Sequence, residues 1–168
     1  MSVRQGLLAI LTVGDAYGYQ LRQEFNRRTD GVWPLNVGQV YTTLDRLERD
    51  GLIVQLVADA EGHKRYAITD EGRAEVETWL TARTERADRD ELAIKVALAR
   101  TLPGVDLATV LGAQESEPSA QPGVIGAWLS AVAEAERRWL DLVAALPPDP
   151  QPLADDAPRR GRPARTRP

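Results

Sequence analysis

Leu7, Leu8, Ile10 and Leu11 crowd into a run that is apolar nearly all round, the pattern of a buried helix. Ser2 is suited to cap its start, and Gly14 to supply the left-handed residue that ends it. The stretch DAYGYQ then turns the chain. In YQLRQEFNRRT, Leu21 and Phe25 stand four apart, and Gly31 closes this second helix. VWPL is extended, because Pro34 disfavours the helical conformation at Trp33. Asn36 caps a third helix that runs to about Asp50 and stops at Gly51, with Val40, Leu44 and Leu47 on its buried side. Three short helices with tight connections make a helix-turn-helix candidate.

The period then changes. LIVQLVA and KRYAIT are rich in β-branched and aromatic residues, with DAEGH between them as turn material, so a β-hairpin is expected. Thr69 caps a fourth helix with Asp70 and Glu71 in its first turn and an apolar stripe of Val76, Trp79 and Leu80. DELAIKVALART, DLATVLGAQ and GVIGAWLSAVAEAERRWLDLVAAL follow as three helical stretches. In the last, Trp128, Leu129, Val132, Ala135, Trp139, Leu142 and Leu146 trace one stripe. From residue 147 the chain is rich in Pro and Arg and has no core pattern, so it is expected to be disordered when free. The fold class is therefore mainly α with a small β-hairpin (α+β): a winged helix-turn-helix domain over 1–86, helices over 87–146 and a tail over 147–168.

Composition removes whole classes of function. There is no cysteine, so disulfides, zinc fingers and thiol catalysis are excluded. A single histidine, His63, leaves little basis for a metal site or a serine–histidine triad, and no cofactor is expected. No phosphate-binding glycine loop is present, and capping accounts for Asp70 and Glu71, so the chain does not read as an enzyme. The apolar run after Gly6 is too short to span a bilayer and lacks a signal-peptide cleavage pattern, which suggests a cytoplasmic protein without a membrane partner. The net charge of −4 is unevenly spread: residues 1–86 are nearly balanced, 87–157 are acidic, and the last eleven residues hold five arginines and no acid. An acidic total is compatible with DNA binding, because clustering on one face is what counts.

The polar side of the third helix carries Gln39, Thr42, Thr43, Arg46 and Arg49. Periodicity alone leaves two readings open, a solvated face or one that is read by a partner. The basic hairpin tip with His63, Lys64 and Arg65 favours DNA: the helix would enter a major groove while the tip reaches the flanking backbone or minor groove. Gln39 suits adenine, Arg46 suits guanine, and Thr42 and Thr43 suit phosphates or a thymine methyl. Asp45, Glu48 and Asp50 cannot all face phosphate, which limits how the helix sits.

GYQLRQEF, WPLNVGQVYTTLDRLERDGLI and KRYAITDEGRAEVETWL closely resemble the PadR-like family of bacterial transcriptional regulators, over most of residues 5–86. The most specific part is the series Gly18, Tyr19, Leu21, Trp33, Gln39, Tyr41, Leu44, Leu47, Gly51, Leu52, Arg65, Tyr66, Thr69 and Gly72. The resemblance implies a homodimeric, mostly repressing protein that binds double-stranded DNA, with C-terminal helices holding the dimer and Gln39, Tyr41, Thr42 and the wing near DNA. The expected contact set is Asn36, Gln39, Tyr41, Thr42, Thr43, Arg46, His63, Lys64 and Arg65. RDELAIKVALA and EAERRWLDL look like the longer-tailed branch of the family, whereas the loop-like ESEPSAQPG marks a shortened region between them.

Two further features carry expectations. Trp128 and Trp139 stand three helical turns apart on one face, as core or interface anchors or as the lining of a pocket for a flat small-molecule effector. In the tail, Arg160, Gly161, Arg162 and Pro163 resemble the AT-hook, in which glycine lets the backbone approach the minor-groove floor and arginines enter it. The competing function is a protein-interaction module built on the winged helix and the acidic C-terminal helices.

Overall fold

A computed structural model describes residues 2–57, 63–85, 89–115 and 120–154, without the side chains of residues 2 and 89. The elements run α1 (Ser2–Ile10), β1 (Ala16–Tyr17), α2 (Gly18–Arg28), α3 (Val37–Arg49), β2 (Ile53–Gln55), β3 (Arg65–Ile68), α4 (Asp70–Thr81), α5 (Arg89–Thr101), α6 (Leu107–Gly112) and α7 (Gly123–Ala144). The architecture is mainly helical with one small antiparallel sheet.

α1 lies at the centre. Leu7 to Leu11 are each at most 1% exposed, which a helix achieves only when it is covered on every side. α2, α3, α4 and α5 supply that cover. Contrary to the sequence reading, Ser2 is already helical, and Gly14 is not left-handed. The helix instead tightens at its end, Thr12 N–H donating to Ala9 O and Val13 N–H to Ile10 O, which satisfies carbonyls without a glycine cap. The other helix ends follow their local signals. Gly31 (φ 69°) donates to Asn26 O beyond α2, the Asn36 carboxamide oxygen accepts from Gln39 N–H at 2.7 Å, and the Thr69 hydroxyl accepts from Gly72 N–H at 3.0 Å.

The expected hairpin is present in β2 and β3, paired Ile53 with Ile68 and Gln55 with Tyr66, while the turn residues 58–62 lie outside the described ones. A third strand joins it, because Ala16 and Tyr17 pair with Tyr66 and Arg65 to give the order β1-β3-β2. Two residues have no readable period, so this strand is visible only through its partner.

The division at residue 86 does not separate two cores. Ile94, Leu98, Ala99 and Leu102 of the α5 region and Val110 of α6 belong to the same apolar cluster as α1. A smaller cluster joins α5, α6 and α7 through Leu92, Val96, Leu111, Leu140 and Val143. Lys95, 1% exposed, fastens α5 to the end of α4 by donating to Ala82 O at 2.6 Å. α7 departs from the expected stripe: its buried residues are Gly126, Ala133, Leu140 and Val143, while Trp128 and Leu142 stay more than half exposed. Within one chain the helix has too few neighbours to cover both faces. No described helix is long and apolar enough to cross a membrane.

The segment after α7 also differs from expectation. Residues 151–154 are not a free chain but a strap along α2. Glu24 (1% exposed) and Arg28 (3%) form a buried ion pair at 2.9 Å, and buried charges need every remaining bond satisfied. The strap backbone supplies part of this: Arg28 donates to Gln151 O at 2.8 Å, and Ala154 N–H donates to the Glu24 carboxylate at 3.0 Å. Arg28 also donates to Thr101 O at 2.8 Å, which ties α2 to α5. A proline-rich stretch without a core pattern still offers carbonyls, and here they are used.

Burial works to raise the Glu24 pKa, but bonds from Arg27, the Ala154 N–H and Arg28 outweigh it and hold the carboxyl below 4.5. A depressed carboxyl contributes stability that is present above its unfolded pKa and lost as pH falls through the folded one. Glu24→Gln is expected to cost about 3–5 kcal/mol near pH 7, the scale for breaking a buried pair. The difference from the parent should shrink as pH drops below about 4.5. Urea unfolding across pH 3–7 checks this, and a pH-independent difference would contradict it.

Candidate nucleic-acid interface

α3 presents two polar flanks around its buried line of Val40, Leu44 and Leu47. Gln39, Thr42, Thr43, Arg46 and Arg49 follow at spacings of three and four and so form one continuous flank. Gln39, Thr42, Arg46 and Arg49 are exposed, and Thr43 is half-buried with its hydroxyl donating to Gln39 O at 2.7 Å. Asn36 sits at the N-terminal end of the helix, where its side chain is engaged as the cap.

Tyr41, Asp45 and Glu48 occupy the other flank, again three and four apart. Burial, then the charges of Asp45, Tyr41 and Glu48, push the Tyr66 phenol above its ordinary value of 10.0. Asp50 is drawn elsewhere, accepting from Arg4 at 3.3 Å, while Arg4 also reaches Glu75 at 3.1 Å. Asp50 is thus neutralised by Arg4, while Asp45 is exposed and stands three residues from Thr42 and four from Arg49. Tyr41 itself is 42% exposed and lies over Gly18, where an added Cβ would stand 2.9 Å from the ring. A side chain there would require the Tyr41 ring to shift.

The wing residues divide in role. Lys64 is exposed. Arg65 is exposed as well but braces the wing base, donating to Asp15 O at 3.1 Å with its guanidinium 5.4 Å from the Tyr17 ring centre. His63 meets the edge of the same ring at 6.0 Å. Tyr17 therefore organises the wing, a role hidden in the sequence because it depends on the two-residue strand β1. The structure brings the α3 flank and the wing residues to adjoining elements of one domain.

Trp139 lines a groove of about 260 Å³ between α5 and α7 with Leu92, Ala93, Val132, Ala135 and Glu136. Trp128 is not part of this lining. Arg160, Gly161, Arg162 and Pro163 lie outside the described residues. Among the described residues no group of acids and histidine could hold a metal ion.

Residues 7–78, which carry the helices and the wing just described, match the model of the transcriptional regulator PadR-like family. This segment is similar to the PadR-like family. The chain is 31% identical over 93 residues to the transcriptional regulator YqjI of Escherichia coli, covering 55% of this chain and 42% of that one. It is 30% identical over 83 residues to a probable transcriptional regulator of Mycobacterium tuberculosis, covering 48% and 44%. The chain thus spans less than half the length of these relatives. Among solved structures it is similar to Bacillus subtilis PadR in complex with operator DNA, at 18% identity and a TM-score of 0.44, covering 84% of this chain and 96% of that one. A transcriptional regulator from Clostridium thermocellum gives 26% identity and a TM-score of 0.44, covering 56% and 84%.

Proposed function

We propose that this protein is a cytoplasmic transcriptional repressor that binds an inverted-repeat operator in double-stranded DNA as a homodimer. The observation that carries the reading is the outward flank of α3: Gln39, Thr42 and Arg46 are exposed and Thr43 is half-buried beside them, while Asp50 is paired with Arg4. A helix of this kind fits a major groove about 12 Å wide, where Gln39 and Arg46 meet base edges and Thr42 and Thr43 the backbone or a thymine methyl. Asn36 and Tyr41 border the same groove wall, and His63, Lys64 and Arg65 carry the wing to the flanking backbone.

Arg46→Ala combined with Lys64→Ala is expected to weaken binding to the promoter of the chain's own gene by at least about 10-fold, since a base contact contributes about 1–3 kcal/mol. It should also flatten the salt dependence by about one phosphate's share. Fluorescence anisotropy at two salt concentrations measures both. Absence of salt-sensitive, competitor-resistant binding by the parent would favour a protein-interaction module using the C-terminal helices, and unchanged binding by the double variant would dismiss Arg46 and Lys64 as DNA contacts.

The dimer is assigned to α7. Ile125, Trp128, Val132, Ala135, Trp139, Leu142 and Leu146 repeat at alternating spacings of three and four, the seam of a helix pair, and several are left exposed by the single chain. Two protomers joined there would set their α3 helices about one helical turn of DNA apart. Trp128→Asp with Leu142→Asp should give monomers in sedimentation velocity and lose cooperative binding; an intact dimer would move the interface elsewhere.

The groove beside Trp139 is the place for a planar apolar effector that releases the repressor. Titration with planar aromatic compounds should quench Trp139 saturably, and Trp139→Phe should remove the response. A response that survives this substitution would dismiss the groove as the site.

A further inference from the structure

The strap has a direction. At Gln151 its carbonyl meets Arg28, at Pro152 its carbonyl meets Arg27 at 3.2 Å, and at Ala154 its N–H meets Glu24 and its carbonyl accepts from Gln20 at 2.8 Å. Four strap residues thus pass from the last turn of α2 to its first, antiparallel to the helix. Leu153 packs against the main core, beside Gly14. The end of α2 that the strap reaches adjoins the proposed DNA face. Tyr17, which precedes α2, pairs with Arg65 of the wing strand, and Gly18 lies under Tyr41 of α3. After Ala154 come Asp155 and Asp156, and then Arg159, Arg160, Arg162, Arg165 and Arg167 with no further acid.

We propose that the strap is an anchor that delivers these five arginines to the DNA flanking the α3 site. The inference rests on the DNA-binding reading above and adds a second contact to it. Chain reach is at most about 3.3–3.6 Å per residue, so Arg159 can be no farther than about 18 Å from Ala154 and Arg167 no farther than about 47 Å. That interval brackets one turn of duplex, about 34 Å. Without the strap the same arginines would hang from the end of α7 on ten further residues, about 33–36 Å of additional chain. Anchoring therefore raises their effective concentration at the flank and removes dependence on where α7 points. The arginines act by displacing counterions from phosphates, and a narrow A·T minor groove with its stronger negative potential would hold them more tightly.

The test uses a short duplex selected from random DNA by the intact protein, and the same duplex extended on both sides by A·T or by G·C pairs. Three proteins are compared: the parent, the chain with Arg159, Arg160, Arg162, Arg165 and Arg167 all changed to Ala, and a strap-release variant, Gln20→Ala with Leu153→Ser. Circular dichroism and thermal melting establish that all three are folded. On extended duplexes the parent should bind about 10- to 100-fold more tightly than the arginine-less chain at 0.1 M salt, with a steeper salt slope. On the short duplex the two should be equal. The release variant should lose at least about threefold on extended duplexes only. A larger gain with A·T flanks assigns the contact to the minor groove, and equal gains assign it to phosphates; both support delivery. Equal binding of parent and arginine-less chain to extended duplexes overturns the proposal. Full retention by the release variant overturns the anchor. Failure of the parent and the arginine-less chain alike to bind any duplex overturns the DNA reading itself.

Discussion

Leu7 to Leu11 leave α1 without a wet side, and the rest of the structure answers that constraint. A helix buried all round needs partners in every direction, so α2, α3, α4 and α5 are drawn around it. α5 lies beyond the PadR-like segment, yet its Ile94 and Leu98 close the same core. α5 and α6 therefore share the core of the helices before the wing, and Lys95 and Arg28 add polar ties through Ala82 O and Thr101 O. A change in how α5 sits would be felt through α1 by α2 and α3 alike.

The polar architecture serves the same end. Burying Glu24 and Arg28 carries a desolvation cost that is offset only when all their bonds are made, and chain from beyond α7 is recruited to make them. At the surface, Arg4 holds Asp50 and Glu75. Tertiary contacts thus neutralise part of the acidic charge at the end of α3, which composition alone does not reveal.

Much of the candidate interface was legible in the chain. The cap at Asn36, the buried line Val40–Leu44–Leu47 and the stop at Gly51 follow from local chemistry, and they place Gln39, Thr42 and Arg46 outward without further information. The bracing of Arg65 and His63 by Tyr17 was not legible. It depends on a two-residue strand that exists only because β3 offers it hydrogen bonds. The α7 stripe was legible as apolar but not as to which neighbour it meets: Leu140 and Val143 turn to α5 and α6, and Trp128 and Leu142 remain outward.

By itself the sequence determined the helices, the caps at Asn36 and Thr69, the hairpin and the buried line of α3, since each depends on residues within about one turn or one strand of one another. Only the tertiary structure decided the third strand, the shared core across residue 86, the exposed face of α7 and the strap along α2. Each of these joins residues far apart in the chain: Gln20 and Ala154 are separated by 134 positions. Pairings at such separations leave no periodic trace. They arise where buried groups, above all Glu24 and Arg28, still have bonds to satisfy and a distant backbone is close enough in space to satisfy them.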